Sequence, residues 1–568
     1  MEITEVFRLW RDDPYFDEET RRELSALDEE RDAGEIRERF CSDLAFGTGG
    51  LRGQMSAGTN RMNRYTVAKA TAGLAAFLQE TYGGEACRTR GVVIGYDTRH
   101  NSRLFAETAA NVLTGADISV CLYRHSAPTP ELSFGVRAMH ALGGIVVTAS
   151  HNPKEYNGYK VYDEWGCQLP YEAAGRVYAF IEAIKDIRTV SLNGNAALFR
   201  EADPTEDYIG AVLLQSRFSD RKAKAALRVV YTPLHGTGMY AVPQTLEKDG
   251  FTDVHPVAAQ FAPDGSFPTV KSPNPEDRRA LELGIAEAAR IGADLVLGTD
   301  PDCDRVGLAV RSGEEYILMT GNQVGALLVD FVLSHTDLSA VKKPAIVKTV
   351  VTSDLGGNIA AAHGCTVFST LTGFKYIGEK MTQFETARKT GNTVRDYTFL
   401  MGYEESYGYL VGDHARDKDA AVASLLICEM CAAWKAKGKA LAERMEELYG
   451  TYGYYFDALD SFTLAGLDGL ERIRGMMEKL RTQGAPFDGV RTVTDYIHPV
   501  PAEEGFGTLP TSDVLKYTFD DGSWIAVRPS GTEPKIKIYY SIRSATKEAA
   551  KAMYVQRKNL ILQTLGLQ

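Results

Sequence analysis

The sequence predicts an α/β protein: three similar mixed-sheet α/β domains followed by a C-terminal α+β domain. Three observations carry that expectation. Short β-rich runs that end in polar loops alternate with amphipathic helical stretches, as in VVIGYDT, GGIVVTAS, LRVVYTPLHGTG, ADLVLGTDPDCD, PAIVKTVVTS and TFLMGYEES. The alternation recurs about three times at domain scale, and 568 residues are too many for one hydrophobic core. From about Tyr452 the composition changes, with apolar strands such as WIAVRP and IKIYYSI among fewer long helices.

In chain order, residues 1–41 read as a charged helical extension, 42–205 as the first α/β block, 206–320 as the second, 321–452 as the third and 453–568 as the α+β domain. The boundaries rest on soft signals such as the loop FAPDGSFPTVKSPNPEDRR. Apolar residues make up 44% of the chain, as in an ordinary globular protein, and the formal charge of -12 gives no overall attraction to nucleic acid or anionic membrane. Any phosphate site must therefore be local. The N-terminus lacks a signal-peptide core and no stretch reaches bilayer length, so a soluble cytoplasmic protein is the simplest account. Eight scattered cysteines fit a reducing compartment. Cys428 and Cys431 form a CxxC, but inside the apolar run AAVASLLICEMCAAW, where core packing outweighs a metal or redox reading.

In α/β folds, functional residues gather in loops beyond strand ends. Four such loops carry chemistry. In TASHNPKEYNGYKVY, Ser150 stands at the end of a buried strand, Pro153 blocks helix propagation, and Asn157-Gly158 reads as a tight turn into a further strand. A serine hydroxyl is a weak nucleophile without a base or metal, and no GxSxG elbow is present, so a plain turn serine is the alternative here. In GTDPDCDRVG, Asp300, Asp302 and Asp304 alternate. Three carboxylates so close repel one another unless a divalent cation neutralises them, and oxygen-only ligands suit magnesium. A calcium EF-hand is excluded because its sixth and twelfth positions are Arg305 and Arg311 instead of Gly and Glu. In GYEESYGYLVGDHARDKDA, Glu404 and Ser406 suit vicinal hydroxyls, while His414, Arg416 and Lys418 add cationic donors; a capped turn is the alternative. In RPSGTEPKIKIYY, Arg528, Ser530, Gly531 and Thr532 make a phosphate cradle without Walker spacing, and Lys535 and Lys537 share a strand face.

Taken jointly and in this order, TASHNP, GTDPDCDR, GYEESYG and RPSGTEP resemble the α-D-phosphohexomutase family from about Ser42 onward. GYEESYG and DHARDKD look most like its phosphoglucomutase and phosphopentomutase branch. The resemblance implies four domains around a central cleft. It implies an isomerase that interconverts glucose 1-phosphate and glucose 6-phosphate through phosphorylated Ser150 and a glucose 1,6-bisphosphate intermediate. Ser150 with Asp300, Asp302 and Asp304 would hold one Mg2+ per chain.

Lys160 matches the family's lysine near the phosphoserine and Lys418 a lysine of the glucomutase branch; either could be the general acid/base. Arg52, in FGTGGLRGQM, matches an arginine near the reacting phosphate, and His151 would bind or orient the sugar phosphate. Arg305, beside the metal loop, would pair with carboxylate or phosphate. Glu404 and Ser406 would read sugar hydroxyls, with Arg416 near them. Arg528, Ser530, Gly531 and Thr532 would hold the phosphate that is not reacting. Thr372, Gly373 and Lys375 fall in the family's additional specificity loop. Tyr407-Gly408 departs from the phosphomannomutase branch. A phosphopentomutase or phosphomannomutase, a phosphatase, and a non-catalytic sugar-phosphate sensor are the competing readings. The implied partner is a sugar phosphate, with no nucleic acid, no membrane and no obligatory protein partner.

Overall fold

The computed structural model describes residues 2–47, 49–464, 468–530 and 534–567. The chain forms two compact units, Met1–Leu318 with Gly408–Glu429, and Met319–Tyr407 with Met430–Gln568.

In the first unit, β1 (Gly50–Gln54), β2 (Val92–Tyr96), β3 (Val120–Tyr123), β4 (Gly143–Val147), β5 (Tyr156–Asp163) and β6 (Phe199–Ala202) form one sheet in the order β1-β5-β4-β2-β3-β6. β2 pairs in parallel with β3 and β4, whereas β5 runs antiparallel to β4 and β1. VVIGY and GGIVV are buried along their whole length, as strands covered on both faces must be. The second sheet, β11-β10-β9-β7-β8, is built from β7 (Arg228–Thr232), β8 (Asp253–Pro256), β9 (Leu295–Thr299), β10 (Val306–Ser312) and β11 (Glu315–Met319). β9 and β10 form an antiparallel hairpin whose tip is the aspartate loop.

One local expectation fails here. Asn157-Gly158 is not a turn but the start of β5, with Gly158 opposite Arg52 of β1. Asn157 is buried and its amide nitrogen donates to His100 O and Ser102 Oγ, which replaces the exposure a turn would need. A Cβ on Gly158 would sit 2.4 Å from Thr148 O, so glycine is there for close strand approach. The segment FAPDGSFPTVKSPNPEDRR lies inside the stretch 206–320 and joins helices Ala258–Phe261 and Arg278–Ile291. Its prolines and glycine bar regular structure, but its side chains are anchored: Phe267 is buried, and Ser272 Oγ donates to His151 O at 2.7 Å.

The N-terminal segment folds as α1 (Ile3–Asp12), α2 (Glu18–Ser25) and α3 (Ala33–Phe40) over the stretch that follows β1. Trp10 stacks on Phe16 at 4.4 Å and meets Tyr65 and Phe40 edge-on at 5.5 and 5.8 Å. Arg39 donates to Ala57 O, and Glu23 accepts from Ala57 N. Because Trp10 is the centre of this aromatic cluster, Trp10→Ala is expected to cost about 3–5 kcal/mol, read as a lower urea midpoint of unfolding.

In the second unit, β12 (Pro344–Thr349) lies between β13 (Thr366–Thr370) and β14 (Thr398–Tyr403), all parallel. β15 (Tyr409–Val411) follows in the chain and belongs to the first unit. The C-terminal sheet is wholly antiparallel in the order β16-β22-β21-β20-β17. Its strands are β16 (Tyr454–Thr463), β17 (Val490–Asp495), β20 (Leu515–Phe519), β21 (Trp524–Pro529) and β22 (Lys535–Ser544), with a small ribbon of β18 (Val500–Pro501) and β19 (Thr508–Leu509) between β17 and β20 in the chain. Helices Gly469–Thr482 and Lys547–Leu565 cover one face of it through Ile473, Met477, Leu480, Ile561 and Leu562. The fold class is the expected one: three α/β domains and a C-terminal domain with an antiparallel sheet. Among the described residues no helix is long and apolar enough to cross a membrane, and both Cys428 and Cys431 are buried in the helix Ala420–Ala436.

Candidate active site

Ser150 leaves the buried end of β4 with a φ of 51° and is 4% exposed. Its N–H donates to Thr148 Oγ1 at 2.8 Å, and Thr148 Oγ1 donates to Asp97 Oδ2 at 2.7 Å. The hydroxyl is directed elsewhere. Ser150 Oγ donates to Asp300 Oδ2 at 2.7 Å and lies 3.2 Å from His151 Nδ1. A strand end of the first domain thus meets the hairpin tip of the second, 150 residues on.

Asp300, Asp302 and Asp304 are at most 2% exposed, and one oxygen of each lies within 4.8 Å of the others. The hairpin shapes its own ligands: Asp300 Oδ1 accepts from Asp304 N and Arg305 N, which leaves Oδ2 facing Ser150. Asp302 Oδ2 accepts from Lys160 Nζ at 2.9 Å and Thr129 Oγ1 at 3.0 Å, and Asp304 Oδ2 lies 3.0 Å from Lys418 Nζ. The second oxygens, Asp302 Oδ1 and Asp304 Oδ1, are buried without any hydrogen bond. Two orphaned carboxylate oxygens beside a third carboxylate and a serine fit a hard divalent cation. Burial, with Asp302 and Asp304 alongside, pushes Asp300 well above the usual carboxylate range. Burial pushes Asp302 the same way, but Lys160 and its hydrogen bonds outweigh this and hold it below that range.

Lys160 lies on β5 opposite Gly50 and reaches both Asp302 and, at 3.5 Å, Asp304. Burial disfavours its ammonium, yet the two carboxylates win and raise its pKa. Lys418 also pairs with Asp417 at 3.1 Å, and Asp417 accepts from the Tyr162 hydroxyl at 2.7 Å. Gly408 leaves room for this lysine, since a Cβ there would lie 2.1 Å from Lys418 Cδ. Arg52 donates to Asn152 Oδ1 at 3.3 Å, next to the serine loop. Burial, then the Arg305 and Arg52 charges, hold His151 neutral by pushing its pKa well below 6.5. Arg305 pairs with Glu276 and lies 3.9 Å from Asp304. Arg416 is 1% exposed, with its guanidinium on the carbonyls of Asp413 and Ala415 in its own loop, and His414 bonds Asp419 at 2.7 Å.

Several residues of this site have no role assigned to them by sequence reading: Asp97, Arg99, Thr129, Tyr162, Phe267, Ser272, Glu276 and Asp417. For Asp97 and Arg99 a signal existed. They follow VVIGY at the carboxyl end of a buried strand, the place where the α/β rule directs attention. Tyr162 and Asp417 lie inside TASHNPKEYNGYKVY and DHARDKD, but nothing local marks them as partners of each other. Thr129 opens a helix, while Phe267, Ser272 and Glu276 lie in a Pro-rich loop, where local sequence gives no such cue.

In the second unit, Glu404 follows β14, is 5% exposed, and accepts from Gly373 N at 2.8 Å. The two loops therefore converge, and Thr372 Oγ1 is buried there with no hydrogen-bond partner. Ser406 is half-buried two residues further on. Arg528 ends β21 directly opposite Lys537 of β22, and Lys535 lies on the same face. Like charges facing each other across a sheet are unfavourable, so this face suits an anion. Ser530 N donates to Lys535 O at 2.7 Å at the base of the loop. Gly531 and Thr532 lie outside the described residues.

Compared with known proteins, the chain matches the four domains described as phosphoglucomutase/phosphomannomutase alpha/beta/alpha domains I, II and III and C-terminal domain, over residues 43–188, 206–313, 320–452 and 473–556. It is 36% identical over 526 residues to a phosphoglucomutase of Staphylococcus aureus, covering 90% of this chain and 91% of that one. Among solved structures, a putative phosphomannomutase from Thermus thermophilus is 25% identical with a TM-score of 0.65, covering 92% of this chain and 99% of that one. The open form of parafusin, a phosphoglucomutase from Paramecium, shares the fold at 18% identity and a TM-score of 0.68, over 92% of this chain and 96% of that one. With a buried serine set against an aspartate trio, and with all four domains matched in order, the chain belongs to the α-D-phosphohexomutase family and is a phosphohexomutase enzyme.

Proposed function

We propose that the protein is a phosphoglucomutase, interconverting glucose 1-phosphate and glucose 6-phosphate through a phosphoryl group on Ser150. The observation that carries this reading is the 2.7 Å contact between Ser150 Oγ and Asp300 Oδ2 within three buried carboxylates. Glucose is preferred as substrate because the 36% identical Staphylococcus aureus protein is a phosphoglucomutase.

Asp300, Asp302, Asp304 and an oxygen on Ser150 would hold Mg2+, which supplies charge neutralisation for phosphoryl transfer when bound. In the forward step the Ser150 Oγ–P bond breaks and a bond from phosphorus to a sugar hydroxyl oxygen forms. The resulting glucose 1,6-bisphosphate turns around and returns its other phosphoryl group to Ser150. A preloaded serine needs no triad. The proton must pass between the sugar hydroxyl and Ser150 Oγ, and Lys160, held as an ammonium against Asp302, is the first candidate, with Lys418 the second. Arg52 and His151 orient the reacting phosphate beside the serine loop, and Arg305 and Arg416 shape the loops around it. Glu404 and Ser406, with Thr372 and Gly373, read sugar hydroxyls; Arg528, Ser530, Gly531 and Thr532 hold the phosphate that is not reacting. Turnover of glucose 1-phosphate is expected to exceed that of ribose 1-phosphate. A kcat/KM for the pentose phosphate about tenfold higher or more would replace the glucose assignment with a phosphopentomutase.

A further inference from the structure

One buried cation of the first unit has no part in the chemistry above. Arg99 follows β2, whose end lies beside that of β4, with Tyr96 opposite Val147. It is 3% exposed, and its guanidinium donates to four backbone carbonyls of one loop. Nη2 reaches Ser150 O and Asn152 O at 2.5 Å each, and Nη1 reaches Pro153 O at 2.8 Å and Tyr156 O at 3.1 Å. Its Nε lies 3.2 Å from Asp97 Oδ2, and both side chains are fully buried. Asp97 Oδ2 also accepts from Thr148 Oγ1, which in turn accepts from Ser150 N. Ser150 is therefore gripped at both ends of its backbone by one ion pair, through its N–H by way of Thr148 and through its carbonyl by Arg99.

That grip bears on reactivity. Ser150 sits in the left-handed region at φ 51°, which residues with a Cβ seldom occupy unless their surroundings fix them there. The same conformation aims Oγ at Asp300. A guanidinium is the only side chain with a planar fork of donors able to collect several carbonyls at once, and a lysine ammonium cannot copy it. The phenyl ring of Phe267 lies under the guanidinium at 4.9 Å. Phe267 comes from the Pro-rich segment of the second block, which also supplies Ser272 to His151 O and Glu276 to Arg305. The serine loop and the aspartate hairpin are thereby tied to one segment.

From this geometry we infer that Arg99, backed by Phe267, is a positioning residue that sets the attitude of Ser150 for phosphoryl transfer. This rests on the reading of Ser150 as the phosphoryl carrier. Neither residue touches the reacting group, so substrate affinity is not their business. Arg99→Lys keeps the charge opposite Asp97 and loses the fork. It is expected to lower kcat about 100-fold while KM for glucose 1-phosphate stays within about twofold, the pattern of a misplaced reacting group. Phe267→Leu keeps every hydrogen bond of Arg99 and is expected to lower kcat about fivefold, again at unchanged KM.

The experiment measures kcat, KM and thermal melting of both variants, with the fraction of chain that glucose 1,6-bisphosphate can phosphorylate read by intact mass. A fall in kcat per phosphorylatable chain supports the inference. A folded Arg99→Lys with kcat within about threefold of the parent overturns it, as does a loss that vanishes once divided by the phosphorylatable fraction. Should Arg99→Lys not fold, Phe267→Leu decides alone, and an unchanged kcat there overturns the inference. Ser150→Ala run in parallel separates the two ideas: turnover in that variant would sink the covalent reading itself, whereas a silent Ser150→Ala beside a normal Arg99→Lys sinks only the role of Arg99.

Discussion

Ser150→Ala is expected to lower mutase turnover by about 10⁴-fold or more, with the protein still folded. The reason is chemical. The hydroxyl is set against the aspartate trio, at 2.7 Å from Asp300 Oδ2, and alanine removes the atom that would carry the phosphoryl group. The backbone of the loop is held independently by Thr148, Asp97 and Arg99, so the fold has no need of the hydroxyl. Intact mass before and after incubation with glucose 1,6-bisphosphate should show one phosphoryl group on the parent chain and none on the variant. Undiminished turnover in the variant would exclude a phosphoserine mechanism.

The second large effect concerns the metal. The charge of Asp300 is opposed by burial first and then by Asp302 and Asp304. Asp300→Asn retains an oxygen for the N–H groups of Asp304 and Arg305 but removes that charge. Two effects of opposite sign should follow. Without metal the variant should be more stable than the parent by about 1 kcal/mol, because removing a strained buried charge relieves repulsion. With Mg2+ at about a hundred times its dissociation constant the parent should gain about 2.7 kcal/mol, and the variant almost none. Thermal melting with and without Mg2+ reads both without reference to activity. Turnover of the variant should fall by about 10³-fold, since the trio would no longer neutralise the transferring phosphoryl group when Mg2+ is supplied. Equal stabilisation of both proteins by Mg2+ would show that the trio is not its site.

How much of this was legible beforehand depended on whether the information was local. The alternation of apolar strands with helices, the change of composition near Tyr452, and the spacing of Asp300, Asp302 and Asp304 are properties of short windows, and they identified the fold class and the acidic loop. Asn157-Gly158 misled because the pair has turn chemistry in isolation. Only the approach of Thr148 O and the bonds to His100 and Ser102 make it a strand. The Pro-rich segment around Phe267 has the composition of a linker, and nothing in it announces that its side chains reach Arg99, His151 and Arg305 through Phe267, Ser272 and Glu276.

The sequence by itself determined the family and the four-domain order, and it put forward the loops proposed to carry chemistry, because each is written in contiguous residues under local steric and electrostatic constraint. The tertiary structure alone decided which atoms face one another. It set Ser150 Oγ on Asp300, shared Lys160 and Lys418 between Asp302 and Asp304, and left two carboxylate oxygens open for a cation. It also gave Arg99 the carbonyls of Ser150, Asn152, Pro153 and Tyr156. The physical reason is that a buried charge must find its partners in space, and some of those partners stand 51 and 150 residues away in the chain, as for Arg99 with Ser150 and Ser150 with Asp300.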